Sequence, residues 1–398
     1  WTEERRERKV REKMYLRKSF LCLYLRELKK FREYIIKRGG NRMRQKRISD
    51  YGYRIGHHEN GPRNKITDVP GVRVGHATVE SGNQHTGVTV IVPGEGNPVS
   101  RKSPGVCYVH NGFRGKTCGL VQVQELGTLE TPIALTNTLN VGKVADAMIS
   151  WMIQQTRKEG EDVFSINPVV GECNDSRINE ICNRVVGEKE LYQALEQADT
   201  DFAEGDIGAG TGTICYGLKG GIGSASRTLV LDGKTYTIGV LVQSNFGATR
   251  DLKISGKPAG EKILERIRKE ECGSSAEDRG SIMTVLATDL PVSERQLYRI
   301  IRRCGVGIAR TGAYTGHGSG EIMIGFTTAN RVDTKSTCEV EACARIKEEK
   351  INEAFEAAAE AVEEAILNSM VTAKEKRGLD GARYRSLAEF LEIPGFLK

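Results

Sequence analysis

The sequence predicts a layered fold of α-helices and β-sheets, without the strict strand-helix alternation of a doubly wound domain. Three observations carry this. Strand-sized runs of alternating character begin at Ile66, helical periodicity marks Val141 to Lys158 and the C-terminal region, and an Asp232-Gly233 turn joins two apolar runs. At 398 residues the chain is long enough to bury a sizeable core.

The first 47 residues carry 18 Lys and Arg against 6 Glu, so the formal charge of +7 belongs to this segment; residues 48–398 hold 41 basic against 46 acidic residues. The apolar patch Phe20 to Leu25 runs straight into charges and lacks a small-residue cleavage site, unlike a secretory signal. Residues 1–42 read as a basic extension, helical or disordered. Because Trp1 precedes Met14 and Met43, Met43 reads as the natural start, with the extension an upstream artefact. Residues 43–398 are expected to form a single domain.

From Ile66, I-T-D-V-P-G-V-R-V-G-H and H-T-G-V-T-V-I-V-P-G alternate β-branched and turn residues, as a sheet requires. Val144, Met148, Trp151 and Met152 then line one face of a helix over Val141 to Lys158. The glycine-rich stretch Gly205 to Ser226 leads into a hairpin, Thr228 to Leu231 and Thr235 to Val242, around Asp232-Gly233. Helices are predicted over Gly260 to Glu271 and over Glu294 to about Arg303, the latter opened by a Ser293/Gln296 capping box. A polar loop, Cys272 to Gly280, precedes two buried strands, Ser281 to Thr288 and Gly320 to Phe326. A C-terminal helix is expected over about Ala342 to Thr372, covering a sheet from outside with Ile351, Phe355, Ala358, Val362 and Ile366.

Several chemistries find no anchor. Ten scattered cysteines without C-x-x-C spacing read as reduced, cytosolic thiols, and six histidines form no metal-binding pattern, so no metal or cofactor is expected. No apolar run approaches the roughly 20 residues of a membrane span. The run Gly208 to Thr213 lacks the G-K-[ST] of a phosphate loop, and no G-x-S-x-G elbow occurs.

A serine can be activated in another way. When the bond before it is cut, the residue gains an α-amine with a pKa near about 8, able to take the proton of its own hydroxyl. Ser281 has a polar E-D-R-G segment before it, with Gly280 easing an N-to-O acyl shift, and a rigid strand after it. Taken alone, Gly280-Ser281 is usually only a turn. In His317-Gly-Ser319-Gly-Glu321 a hydroxyl and a carboxylate share one face if a strand begins there, though the spacing alone favours a glycine-flanked turn with both side chains solvated. Gly171-Glu172-Cys173-Asn174 ends one buried strand, and Asn245, just past the Thr235 to Val242 strand, could donate to an oxyanion.

In order along residues 44 to about 390, I-T-D-V-P-G-V-R-V-G-H, N-T-L-N-V-G, P-V-V-G-E-C-N-D, K-G-G-I-G-S-A-S-R, G-V-L-V-Q-S-N-F-G, R-G-S-I-M-T-V-L-A-T-D and H-G-S-G-E resemble the DmpA-like family of self-processing D-aminopeptidases and β-peptidyl aminopeptidases. The resemblance implies an α/β fold, a four-layer αββα sandwich similar to the N-terminal-nucleophile hydrolases but differently connected. It further implies cleavage before Ser281 into an α chain, 43–280, and a β chain, 281–398, assembled as tetramers. Carried over residue by residue, Ser281 matches the nucleophile, Ser319 and Glu321 its supporting hydroxyl and carboxylate, Asn245 the oxyanion donor and Glu172 the carboxylate for the substrate ammonium. Some D-aminopeptidase members carry Tyr two positions after that Glu; this chain has Asn174.

The expected partner is therefore a peptide or amide with a free N-terminal amine, in the cytoplasm, with neither membrane nor nucleic acid involved. Two alternatives stand beside this: an amidase or N-acyltransferase using the same serine, and a catalytically dead scaffold whose basic arm binds nucleic acid.

Overall fold

The computed structural model describes residues 44–112, 115–270 and 280–397. The segment 1–42 and loop residues 272–279, with the expectations attached to them, lie outside these. Residues 46–398 form one compact unit, and every sheet among the described residues lies in it.

Its main elements, in chain order, are β1 (Arg73–Ser81), β2 (Gln84–Val92), β3 (Arg101–Gly112), β4 (Ile133–Asn137), α1 (Val141–Lys158), β5 (Val169–Cys173), α2 (Glu188–Glu196), β6 (Gly221–Leu231), β7 (Lys234–Asn245), α3 (Gly260–Glu270), β8 (Gly280–Thr288), α4 (Glu294–Ile301), α5 (Cys304–Arg310), β9 (Ser319–Thr327) and α6 (Ile351–Val371). Strands β1, β2, β4 and β5 form a four-stranded sheet in that order. A seven-stranded sheet runs Val332–Asp333, β3, β9, β8, β7, β6, with Thr128–Leu129 paired to β3. Central β8 is antiparallel to β7 and parallel to β9.

The period of two assigns each strand residue to a layer. In β2, Val88, Val90 and Val92 pack against Val144, Met148 and Met152 of α1 and Leu191 of α2. Ile91, between them, faces the other way and meets Leu241, Met283, Val285 and Ile324 of the second sheet. In β8 the complementary residues Ile282 and Leu286 meet Leu297 and Ile300 of α4 and Val362 and Ile366 of α6. The order is helices, sheet, sheet, helices: the αββα sandwich that the resemblance implied.

Helix α1 has the predicted bounds, and the β6–β7 hairpin turns through Asp232 and Gly233, both with positive φ, 49° and 74°. The Ser293/Gln296 capping box opens α4 as expected. Three expectations are corrected. Helix α4 ends at Ile301, and a separate α5 follows from Cys304. The C-terminal helix begins at Ile351, because Asn330 takes both backbone groups of Ala344 (2.7 and 3.0 Å) and Pro291 takes the Ile346 N–H (2.9 Å). Finally, α6 is buried on all sides from Ala357 to Val371, carboxylates included. Residues 48–64 lie over it: Ile48 N–H donates to Asn368 (3.0 Å), His57 N–H to Glu360 (2.7 Å) and Asn64 to Glu364 (2.6 Å). From below, the fully buried Arg227 pairs with Glu360 (3.1 Å) and Glu364 (2.8 Å).

Candidate active site

Gly280 and Ser281 open β8, and the register of this strand determines what surrounds them. Ser281 stands directly opposite Asn245, the last residue of β7, and opposite Gly320 of β9. Paired residues in a sheet share a face, so the side chains of Ser281 and Asn245 both face the gap between the sheets, on the side of Met283. Ser319 and Glu321 pair instead with Gly280 and Ile282, on the opposite face. The Ser319 hydroxyl donates to Glu321 Oε1, and both residues are buried. The pair foreseen in the sequence thus exists, one step out of phase with the Ser281 side chain.

Asn245 is held in one orientation. Its Oδ1 accepts the Ile214 N–H at 2.9 Å, which leaves the amide NH2 as the group it can offer to a ligand. Glu172, in the parallel strand β5, is 6% exposed. Its carboxylate accepts from the Lys116 backbone N–H (3.2 Å) and from the Thr138 hydroxyl at the end of β4. Sequence reasoning missed both partners; Thr138 lies inside the N-T-L-N-V-G motif, so only its role was unread.

These groups converge on one cavity of about 910 Å³, lined by Ser281, Asn245, Glu172, Thr138, Lys116 and Ile214 among others. Gly280, His317, Gly318, Gly320 and Asn174 also line it, whereas Ser319 and Glu321 sit behind the strand. The Asn174 Oδ1 accepts from Ser176 N–H (3.0 Å) and Oγ (2.6 Å), so its carbonyl closes a local turn at the rim. Behind it, burial raises the pKa of Asp175 from 3.8 to about 6.

Cys173 lies under the nucleophile position, its thiol directed at the carbonyls of Gln243 (3.4 Å) and Ser281 (3.5 Å). Burial pushes this thiol far above its usual range and keeps it protonated, which makes it inert as a nucleophile. Ser281 is therefore the nucleophile candidate that combines a strand-start position, partial exposure and a facing amide donor. No helix among the described residues is long and apolar enough to cross a membrane.

The sequence pattern of peptidase family S58 matches residues 64–384. A β-peptidyl aminopeptidase, BapA, of Sphingosinicella microcystinivorans is 35% identical over 357 residues, 85% of this chain and 88% of that protein. Among solved structures, the PH0078 protein from Pyrococcus horikoshii OT3 superposes with a TM-score of 0.81 at 42% identity, covering 87% of this chain and 98% of that one. The L-aminopeptidase D-Ala-esterase/amidase from Ochrobactrum anthropi, described as a prototype serine aminopeptidase with a variant of the Ntn hydrolase fold, reaches 0.79 at 32% identity, covering 86% and 95%.

Proposed function

This chain belongs to peptidase family S58, the DmpA-type serine aminopeptidases, and on that premise we propose that it cuts itself between Gly280 and Ser281 and then releases N-terminal residues from peptides and amides. The observation that carries this is the shared cavity: Ser281, the Asn245 amide and the Glu172 carboxylate open onto one space.

In maturation, Ser281 Oγ attacks the Gly280 carbonyl carbon, the Gly280–Ser281 C–N bond breaks as the C–O bond forms, and water hydrolyses the ester. The N-terminal chain then ends at Gly280 in a carboxylate and the C-terminal chain begins at Ser281 with an amine. Departure of Gly280 vacates the position opposite Ser319, which places the Ser319–Glu321 pair beside the new amine. A carboxylate there holds the amine in position through the intervening hydroxyl.

In turnover, the Ser281 hydroxyl gives its proton to its own α-amine and attacks the first peptide carbonyl. The Asn245 NH2 donates to the oxyanion, the amine returns the proton to the leaving group, and water frees the acyl residue. Glu172 receives the substrate ammonium, which favours free N-termini over blocked ones. Substrate preference among small L-, D- and β-amino acids is left to the cavity walls, where Asn174 stands at the rim.

Mass spectrometry of purified protein tests the reading: two chains are expected, one beginning S-I-M-T-V, and Ser281→Ala should give one inactive chain. A fully active uncut chain overturns it. A second reading, hydrolysis of amides and esters through the same serine, draws on the esterase/amidase activity named for the Ochrobactrum protein. Comparing a p-nitroanilide with a free amine and its N-acetylated form separates the two, since only the aminopeptidase loses the blocked substrate.

A further inference from the structure

Lys219 is fully buried in the glycine-rich segment, at the edge of the candidate site and outside the mechanism above. Its ammonium donates to three backbone carbonyls, those of Gly210 (2.9 Å), Thr213 (2.8 Å) and Gly220 (2.7 Å). All three N–H donors of the ammonium are thereby used. Among the described residues it has no carboxylate ion pair, so its direct contacts are neutral peptide dipoles, with the Asp206 and Asp175 carboxylates acting on it from beyond contact distance. Leaving a lysine in such a place is costly, and the position of one of the carbonyls supplies a reason.

The Thr213 carbonyl and the Ile214 N–H are opposite ends of a single planar peptide unit. Lys219 grips the oxygen end at 2.8 Å, while the nitrogen end donates to Asn245 Oδ1 at 2.9 Å. Turning that plane would move both contacts together. A cation on the oxygen also polarises the amide and strengthens its N–H as a donor. Further backbone bonds tie the loop down: Gly220 N–H donates to the same Thr213 carbonyl (3.0 Å), Lys219 N–H to the Arg385 carbonyl (2.8 Å) and Tyr216 N–H to the Phe246 carbonyl (2.7 Å).

We propose that Lys219 is a positioning residue that orients the Asn245 amide toward the oxyanion through the Thr213–Ile214 peptide. The inference rests on the oxyanion role of Asn245 proposed above, and it makes Lys219 a determinant of turnover that touches no substrate. Burial lowers the lysine pKa to about 7, and the charges of Asp206 and Asp175 partly oppose this.

The test is a double-mutant cycle of Lys219→Met and Asn245→Ala, assayed on a free-amine p-nitroanilide, with kcat normalised to matured chains by mass spectrometry. Asn245→Ala is expected to lower kcat by about 100- to 1,000-fold, the range of a lost oxyanion donor, and Lys219→Met by about 10-fold or more, with KM changed little in both. The double variant should be no slower than Asn245→Ala alone. Losses that multiply, or a KM effect without a kcat effect, overturn the role of Lys219 and leave that of Asn245 standing. Wild-type turnover in Asn245→Ala overturns both. Should Lys219→Met not fold, Ile214→Pro removes the N–H at the other end of the same peptide while keeping the lysine, and the same non-additivity with Asn245→Ala is expected; additive losses there reject the proposal.

Discussion

Ser319 stands opposite Gly280 across the parallel β8–β9 pair, one residue before the level of Ser281, and donates its hydroxyl to Glu321 on the same face. The pair therefore lies beside the bond expected to be cut and behind the nucleophile's side chain. Its proposed task is therefore on the amine side of Ser281. Ser319→Ala is expected to slow both self-cleavage and turnover while leaving KM nearly unchanged, since the hydroxyl lies outside the cavity lining. Time-resolved mass spectrometry of freshly synthesised chain, together with steady-state assays of the matured fraction, checks this.

Glu172 is expected to act on substrate and not on maturation. Replacing it by Gln keeps the shape and an oxygen for the Lys116 N–H, reverses the Thr138 contact so that the amide donates to the hydroxyl, and removes the charge. A charged hydrogen bond contributes about 1.5–3 kcal/mol, or roughly 10- to 100-fold. Glu172→Gln should raise KM for free-amine substrates by that factor, with processing at the wild-type rate. A variant that fails to process would place Glu172 in the cleavage step instead.

The close seating of α6 on the second sheet depends on Gly223. A Cβ there would fall 2.0 Å from the Ala365 carbonyl oxygen and 2.5 Å from the Ser369 nitrogen, both backbone atoms of α6. Gly223→Ala is expected to destabilise the protein by about 1–3 kcal/mol, through displacement of the helix. Gly142→Ala in α1, where the added carbon meets nothing within 4 Å, should instead be neutral or stabilising. Denaturant midpoints of the two variants provide the comparison.

Asp175 supplies a pH signature. Burial raises its folded-state pKa to about 6 against 3.8, despite hydrogen bonds from Thr86, Asn179 and Asn137. The folded state then binds more protons than the unfolded one between those values. Its contribution to stability is complete below pH of about 3.8 and is lost as pH rises through about 6, with a slope of at most about 1.4 kcal/mol per unit. Asp175→Asn should lose that slope, so the difference between wild-type and variant urea midpoints should fall as pH rises from about 4 to about 6; identical pH dependence in both would refute it.

Local rules made much of this molecule legible. Period 3.6 marked α1 to its last residue, Asp232-Gly233 marked the hairpin, and the apolar run after Ser281 marked a buried strand with a serine at its start. Those signals are local, because a side chain's periodicity and a glycine's φ depend on nearby residues only. They failed where distant groups intervened: Asn330 and Pro291 divert the backbone that would have begun the C-terminal helix nine residues earlier.

By itself, then, the sequence nominated the candidate site residues and determined the kind of element each sits on, with family motifs ordering them. Only the tertiary structure decided who faces whom. Ser281 meets Asn245 because β7 and β8 pair in one register, and Ser319 meets Gly280 because β9 pairs in another; a shift of one residue would reverse each face. Thr138 reaches Glu172, and Lys219 reaches the Asn245 amide through one peptide plane, for the same reason. Register and sheet stacking are set by the packing of all layers at once, and no window of sequence contains them.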